Sequence, residues 1–232
     1  GVGGYAAVGG EGGGRLKEIL AVWYHPVGAS GDRALGMVQC LVERRAGGGT
    51  GVKRVRCLSG EAVWRAMDAG MFDRKLLDAA LKRLKKSPIT RQPKRPLREL
   101  AKAPDMFVIE YRDGLKAFVL TLNGAVNEWG VAWKTAAGAV KSTAFWTQEA
   151  RPYMHFTYLV KGTEKMLHTG QPTWPAERTL LTSALLDALL ISKSKNGAMV
   201  PTEYLDFKYT SGANWRQPPP PPPGAPPAPP AR

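Results

Sequence analysis

Residues 105–146 read DMFVIEYRDGLKAFVLTLNGAVNEWGVAWKTAAGAVKSTAFW, and this stretch decides the fold class. It holds four runs rich in β-branched and aromatic residues, namely 106–111, 115–122, 129–135 and 140–146. The first two are joined through Asp113-Gly114, which indicates a hairpin because both positions of such a turn favour positive φ. Asn123-Gly124 and Ala137-Gly138 mark the other two turns. We therefore predict an antiparallel meander of four strands.

The sequence on both sides of this stretch supplies helices and further strands. On the amino-terminal side we predict strands at 16–24 and 52–58 and helices at 32–45, 61–69 and 75–85. On the carboxyl-terminal side we predict helices from Tyr153 to Gly170 and from Pro175 to Lys195, and a last strand at 204–209. The prolines between 88 and 104 predict irregular structure there. Strands grouped together with helices around them predict an α+β fold, an open and mainly antiparallel sheet with helices packed on one face.

The two ends of the chain differ in composition from its middle. Residues 1–14 contain eight glycines, and 218–230 are almost entirely proline. Neither composition offers enough apolar surface to offset the entropy of ordering a backbone. We therefore divide the chain into a Gly-rich disordered segment (1–14), one α+β domain (15–216) and a Pro-rich disordered tail (217–232). The tail favours polyproline II, which suits either a spacer or a ligand of an SH3-like or WW-like groove.

The net charge of +14 is concentrated in one place. Residues 82–102 contain nine basic residues and one acid, Glu99, so this stretch alone carries a charge of +8. It contains no aromatic residue on which a base could stack. This absence argues against nucleic acid as a partner and favours a solvated loop.

The sequence lacks the features of a membrane or secreted protein. The longest apolar run, 180–191, is twelve residues long and contains Asp187, whereas a membrane span needs ~20 apolar residues. Two cysteines, Cys40 and Cys57, are too few for a disulfide scaffold. The first residues lack the pattern of a signal peptide. We therefore expect a cytoplasmic protein without membrane association.

The sequence lacks the common motifs for binding a metal ion, binding a nucleotide or presenting a catalytic nucleophile. Three histidines and two cysteines share no metal-ligand spacing, so we predict no metal site. Residues 1–6 match G-x-G-x-x-A, but no strand precedes them to build a dinucleotide turn. The sequence contains no G-x-S-x-G for a serine nucleophile.

One short stretch offers polar side chains at the start of a predicted helix. Arg151, Tyr153 and His155 lie where a side chain faces either a substrate cleft or the sheet. A histidine that transfers protons needs a partner and a pocket, and the sequence shows neither. Both interpretations, substrate-binding and structural, stay open for these three residues.

Three longer segments resemble the carboxyl-terminal domain of Gfo/Idh/MocA-like oxidoreductases, the group that includes glucose-fructose oxidoreductase and inositol dehydrogenase. They are QCLVERRAGGGTGVKRVRCLSGEAVWRA (39–66), FVIEYRDGLKAFVLTLNG (107–124) and HTGQPTWPAERTLLTSALLDALLISKSKNG (168–197). The resemblance extends over roughly 15–210. It implies an open, mostly antiparallel sheet that closes a substrate cleft and often mediates oligomerisation. On this basis we expect a homo-oligomer through the sheet and a sugar-like small molecule as ligand.

The same resemblance implies NAD or NADP as the cofactor of the full-length family, bound by an amino-terminal Rossmann domain. We expect no cofactor site in this chain. The family's Glu-Lys-Pro motif, which carries a catalytic lysine, is absent. Related sequences have Gly-Phe-His-Ala-Leu-Glu where this chain has Gly31-Asp32-Arg33-Ala34-Leu35-Gly36, so Arg33 replaces the histidine. An arginine stays protonated and cannot act as a general base, but it suits an anionic substrate group.

Two functions stay open at this point. The first is the substrate-side and oligomerisation domain of a Gfo/Idh/MocA-like NAD(P)-dependent sugar or polyol oxidoreductase, as a fragment that is not catalytic alone. The alternative is a non-catalytic interaction module that uses the basic stretch 82–102 and the proline-rich tail. The candidate substrate-binding residues are Arg33, Arg151, Tyr153 and His155, and we predict no catalytic residue.

Overall fold

The computed structural model describes residues 15–25, 27–145, 147 and 155–210. The predicted terminal segments, 1–14 and 217–232, lie outside these described residues. The strands are β1 (Leu16–Trp23), β2 (Val52–Ser59), β3 (Asp105–Tyr111), β4 (Lys116–Thr121), β5 (Trp129–Thr135), β6 (Val140–Phe145) and β7 (Val200–Pro201). The helices are α1 (Val27–Val42), α2 (Glu61–Asp68), α3 (Arg74–Leu81), α4 (Pro88–Arg91), α5 (Leu97–Leu100), α6 (His155–Thr169) and α7 (Ala176–Ser194).

A single open sheet runs through the described residues in the strand order β6-β5-β1-β4-β3-β2-β7. Its neighbouring strands are antiparallel, except that β1 and β4 run parallel. The predicted α+β class and the open, mainly antiparallel sheet are therefore confirmed.

The predicted meander is wrong at one step. β3 pairs with β4 and β5 with β6 as predicted, but β1 lies between β4 and β5. The link between β4 and β5 passes the end of β1, where the N–H of Leu122 donates to the carbonyl of Trp23 at 2.9 Å. The sequence of β1 is a nearly continuous apolar run from Ile19 onward, which is typical of a central strand covered on both faces.

Helices cover both faces of the sheet, so the prediction that they pack on one face is wrong. Successive side chains of a strand point to opposite faces. In β1, Ile19, Ala21 and Trp23 belong to a core that includes α1 and α7. Leu20 and Val22 belong to a second core that includes α2 and α3. The sheet is thus the middle layer of three.

The hairpin at Asp113-Gly114 is confirmed, although its turn differs from the expected one. Gly114 has a φ of 89°, whereas Asp113 is not among the residues with positive φ. The N–H of Tyr111 donates to the carbonyl of Leu115 at 2.9 Å, so residues 112–114 form a three-residue loop. Such a loop needs positive φ at its last position, where glycine has no steric cost.

Helix α1 begins at Val27, well before the predicted start at Asp32. Gly31 allows this first part of the helix to approach α7 closely, because a Cβ at this position would lie 2.7 Å from Cδ1 of Leu186. Further along, Leu35 and Val38 bury one face of α1 against the sheet, as their helical spacing predicts.

Two other regions differ from prediction. Residues 88–104 contain the short helices α4 and α5. Pro88 and Pro96 lie at the starts of these helices, where a backbone N–H would have no acceptor within the helix, so proline is tolerated there. The predicted strand 204–209 is wrong, because Glu203–Leu205 forms a 3-10 helix. The last strand is instead β7, which pairs with β2 at one edge of the sheet.

Candidate functional site

Arg33 lies on the exposed side of α1. Among the described residues its guanidinium has no hydrogen-bond or ion-pair partner. Its neighbours Ala34 and Leu35 are buried in the core, so the Cα–Cβ bond of Arg33 points away from the core. An exposed cation without a partner is available to an anionic ligand.

The other three predicted residues lie wholly or partly outside the described structure. Arg151 and Tyr153 lie outside the described residues. The backbone of His155 begins α6, and its side chain lies outside the described part of the chain. The prediction that these three residues contact a substrate therefore stays a prediction.

An aromatic cluster lies at the carboxyl end of β1, directly before α1. The ring centroids of Trp23 and Trp129 are 5.4 Å apart, and those of Tyr24 and Trp129 are 6.0 Å apart. The ring of His25 lies 4.2 Å from that of Tyr24. Both tryptophans are buried, Tyr24 is half-buried and His25 is exposed, so the cluster connects the core to the surface. We call Trp23, Tyr24, His25 and Trp129 the aromatic cluster.

His25 has an unusual backbone conformation. Its φ is 89°, in the left-handed region that non-glycine residues rarely adopt. The side chain of Asn123 holds it there, because its Oδ1 accepts a hydrogen bond of 2.7 Å from the N–H of His25. Conformations of this kind cost of order 1–3 kcal/mol and cluster at functional sites. The sequence places His25 in a loop but gives no sign of this strain.

Two indole groups of the aromatic cluster have unsatisfied donors. The Nε1 atoms of Trp23 and Trp129 are buried and have no hydrogen-bond partner among the described residues, and the same holds for Trp133 on β5. Buried donors of native proteins are nearly always paired. Both nitrogens are enclosed in the core, so a ligand at the surface does not reach them, and the accessible part of the cluster is His25 and the exposed part of Tyr24.

A buried polar network occupies another part of the core. The Gln39 amide donates to the hydroxyl of Tyr209 at 2.6 Å and accepts from the hydroxyl of Tyr111 at 2.9 Å. Tyr209 donates in turn to Glu43 at 2.9 Å, and Arg178 donates to both carboxylate oxygens of Glu43. Burial raises the pKa of both tyrosines far above the usual value of a phenol, so they stay protonated. We interpret this network as structural.

A hollow of about 430 Å³ lies along α6. Its described lining consists of Leu159, Val160, Thr163, Glu164, Leu167 and His168. Sugar sites depend on several polar groups that converge on the ligand. A lining dominated by aliphatic side chains of one helix does not provide them, so the hollow is a weaker candidate than the aromatic cluster.

No protein-family model matches the chain, and no curated protein matches it. Solved structures do match: a probable dehydrogenase from Thermotoga maritima has a TM-score of 0.46 and 11% identity over 83% of this chain and 58% of its own. Scyllo-inositol dehydrogenase from Lactobacillus casei with bound NAD(H) and scyllo-inositol has a TM-score of 0.42 and 11% identity over 81% of this chain and 57% of its own. The WlbA dehydrogenase from Bordetella pertussis in complex with NADH and UDP-GlcNAcA has a TM-score of 0.40 and 13% identity over 81% of this chain and 55% of its own.

All three of these structures are of dehydrogenases. The chain spans 55–58% of the length of these solved structures. The similarity concerns the arrangement of strands and helices.

The described residues do not fit a dinucleotide. A dinucleotide turn joins two neighbouring parallel strands through a helix whose N-terminus meets the pyrophosphate. Here α1 joins β1 to β2, and these two strands are separated by β4 and β3. The first turn of α1 contains Gly28 and Gly31 without the G-x-G-x-x-G spacing. We therefore derive no step of a reaction through NAD or NADP in this chain.

The described part of the chain contains neither a metal cluster nor a membrane-length helix. In these residues, no group of three or more His, Cys, Asp or Glu side chains is arranged to hold a metal ion. None of the helices described has the length and apolar content that crossing a membrane requires.

Proposed function

We propose that the chain is the substrate-side domain of a two-domain Gfo/Idh/MocA-like oxidoreductase and that it binds a sugar or polyol at the start of α1. The dinucleotide would be bound by another domain of the full-length protein. The sequence resemblance over roughly 15–210 supports the family, and the residues at the carboxyl end of β1 support the location of the ligand.

The observation that carries this proposal is that the aromatic cluster and Arg33 share the beginning of one helix. Pro26 alone separates His25 from the first helical residue, Val27, and Arg33 follows Val27 by six positions. Six residues of α-helix correspond to about 9 Å along the axis, which is the scale of a monosaccharide or a small disaccharide. Aromatic rings suit the apolar faces of a sugar, and a guanidinium suits a carboxylate or phosphate on it.

Hydride transfer is not assigned to this chain alone. The proton acceptor of the family is a histidine, and Arg33 stands in its place. Because a guanidinium does not lose its proton near neutral pH, Arg33 binds charge and does not act as a base. We propose that this position selects for a ligand with an anionic group.

A binding experiment with two related sugars tests the proposal. Glucuronate and myo-inositol share ring hydroxyls but differ in the carboxylate, and ligand-observed NMR reports the binding of each to the 232-residue chain. We expect Arg33→Ala to weaken glucuronate binding about tenfold, the order of one charge-assisted hydrogen bond, and to leave inositol binding unchanged. Arg74→Ala, an exposed arginine of α3, is the matched control.

Three outcomes contradict the proposal. One is the absence of binding for both sugars at millimolar concentration. Another is an equal loss in the Arg33→Ala and Arg74→Ala variants, since this would reflect net charge alone. The third is binding of NADH to the isolated chain with a micromolar dissociation constant, measured by NADH fluorescence, since the described residues form no dinucleotide site.

We also propose that the full-length protein is a homo-oligomer that forms through the sheet. Strand β6 supports this, because it lies at the edge of the sheet and carries exposed or half-buried side chains from Val140 to Ala144. A free edge presents unpaired backbone groups to a second copy. Light scattering should give a mass above 25.2 kDa, and Ala144→Pro, which removes an N–H donor on the free side of β6, should shift it toward the monomer.

A further inference from the structure

Residues 82–102, which we call the basic segment, are held in place by the core. Leu84 and Leu100 are buried, and the N–H of Ile89 donates to the carbonyl of Ala125 at 2.9 Å. The hydroxyl of Ser87 donates to the carboxylate of Glu128 at 2.9 Å. The segment is therefore an ordered part of the surface, and its basic side chains are exposed to solvent, as its composition predicts.

Glu128 anchors the segment without neutralising its side chains. Its carboxylate accepts hydrogen bonds from the backbone N–H groups of Lys85 at 3.2 Å and of Lys86 at 2.6 Å. Burial alone would raise the pKa of Glu128, but these backbone hydrogen bonds and those from Ser87 lower it below its usual value. The carboxylate thus stays ionised at neutral pH, and it holds the backbone that carries the two lysines.

Most cations of the basic segment lack a carboxylate partner. All nine of its basic side chains belong to exposed or half-buried residues. Arg95 lies 3.7 Å from Glu99, and Arg98 pairs with Asp68. Among the described residues the following have no ion pair: Lys82, Arg83, Lys85, Lys86, Arg91, Lys94 and Lys102. Arg83 donates instead to the neutral hydroxyl of Ser142.

We propose that the basic segment binds the phosphate backbone of a nucleic-acid duplex without sequence selectivity. Duplexes carry one negative charge per ~1.7 Å of axis, and their affinity for lysine and arginine arrays comes from the release of condensed counterions. Contacts to phosphates need fixed cations and no stacking platform, so the lack of aromatic residues in the segment does not prevent them.

The composition of the surface favours this partner over a protein. The cores of protein interfaces are depleted in lysine and depend on buried aromatic or arginine anchors. In the basic segment the apolar side chains of Leu84 and Leu100 are turned into the core, and Gln92, Pro93 and Thr90 are exposed between the cations. A polar, cationic and ordered surface matches the chemistry of nucleic-acid interfaces.

Fluorescence anisotropy with a labelled DNA duplex of about 20 base pairs tests the proposal, because such a duplex carries one phosphate charge per ~1.7 Å along its whole length. The variant Lys85→Gln/Lys86→Gln/Lys94→Gln removes three cations of the basic segment. The control Lys53→Gln/Lys195→Gln/Lys208→Gln removes three exposed lysines elsewhere and has the same net charge. At about 50 mM salt we expect micromolar binding by the wild type, a loss of about tenfold or more in the first variant and less than about twofold in the control.

The salt dependence gives a second readout. The slope of log K against log salt should fall by roughly 2–3 in the basic-segment variant, about 0.9 for each phosphate that is no longer neutralised, and stay unchanged in the control. Duplexes of unrelated sequence should bind equally, and single-stranded poly-dT should bind more weakly. Circular dichroism checks that both variants keep the fold.

Several results would overturn the proposal. They are the absence of duplex binding at low salt, equal losses in the two triple variants, or binding to phosphatidylserine vesicles that depends on the basic segment while duplex binding does not. The outcome is separate from that of the sugar proposal, because Arg33→Ala leaves the basic segment intact and should leave duplex affinity unchanged.

Discussion

Glu43, which directly follows α1, and Arg178 of α7 form a two-point ion pair inside the protein. The Nε of Arg178 donates to one oxygen of Glu43 at 2.9 Å, and its Nη2 donates to the other oxygen. The side chain of Glu43 has no exposed surface, and that of Arg178 is 18% exposed. Because the carboxylate has been removed from water, its charge depends on this guanidinium and on the hydroxyl of Tyr209.

Replacing Arg178 should destabilise the protein strongly. Arg178→Met leaves the Glu43 carboxylate buried without its counter-ion, and breaking a buried pair in this way costs about 3–5 kcal/mol. Urea unfolding followed by circular dichroism measures the loss. The double variant Glu43→Gln/Arg178→Met should recover part of it, since the uncompensated charge is gone.

An exposed pair supplies the control for this experiment. Arg74 and Asp78 on α3 are 3.5 Å apart, and both side chains are more than half exposed. Arg74→Met should therefore cost no more than about 0.5 kcal/mol. If Arg178→Met were as mild as Arg74→Met, the pair between Glu43 and Arg178 would not be a buried one.

The local features of this fold could be predicted from the sequence, and the long-range ones could not. The hairpin of β3 and β4 is encoded within a few residues by Gly114, and helix α3 by its amphipathic spacing. The position of β1 between β4 and β5 depends on which strand edges meet across nearly one hundred residues, and no local pattern records this. Helix α7 shows the same limit: its apolar sequence predicts burial on all sides, but Leu180 is 58% exposed.

The candidate site could be predicted only in part. Arg33 is predicted from its place in a motif of the family that the chain resembles, and its role in binding stays a prediction. The aromatic cluster was not identifiable, because Trp23 and Trp129 are far apart in sequence and meet only when β1 pairs with β5. His25 carries no sequence signal at all, since its backbone conformation is imposed by Asn123 from another loop.

The two cysteines should react at very different rates. Cys57 on β2 is 1% exposed, and burial, with a smaller effect of the Asp105 charge, raises the pKa of its thiol to about 12. It is therefore protonated and inaccessible at mildly alkaline pH, whereas Cys40 is half-buried. We expect Ellman's reagent to modify one thiol in the native protein and a second only in urea. The Cys40→Ser variant should show no reaction before unfolding.

Two glycines should respond in opposite ways to an added methyl group. Gly36 lies within α1, and a Cβ there would meet no atom within 4 Å, so Gly36→Ala should raise the free energy of unfolding by about 0.5–1 kcal/mol. At Gly130 on β5 a Cβ would lie 2.8 Å from the carbonyl oxygen of Ala80 in α3. Gly130→Ala should therefore lower the free energy of unfolding by about 1–3 kcal/mol. If Gly36→Ala and Gly130→Ala changed the free energy of unfolding in urea by the same amount, this would contradict the close contact between β5 and α3.

Glu18 and Glu128 should make opposite contributions to the pH dependence of stability. Burial raises the pKa of Glu18 above its usual value of 4.5; the nearby charge of Asp73 adds to this, while the N–H of Asp73 and the charges of Lys134 and Lys116 oppose it. The pKa of Glu128 is lowered, because hydrogen bonds from backbone N–H groups outweigh its burial. A carboxyl with a raised folded-state pKa binds its proton more tightly when folded, so its contribution is present below the unfolded pKa and is lost as pH rises. For a lowered pKa the contribution is present above the unfolded pKa and is lost as pH falls.

The variants Glu18→Gln and Glu128→Gln separate these two contributions. Relative to the wild type, Glu18→Gln should become more stable as pH rises from about 4 to about 7, because it removes the cost of ionising a buried carboxyl. Glu128→Gln should become less stable as pH rises from about 3 to about 6, because it removes a carboxylate that the folded protein stabilises. Urea unfolding of the three proteins at each pH measures both trends. Parallel curves for the two variants would contradict the assignment of opposite pKa shifts, and a reversed trend for Glu18→Gln would mean that Lys134 and Lys116 outweigh burial at this carboxyl.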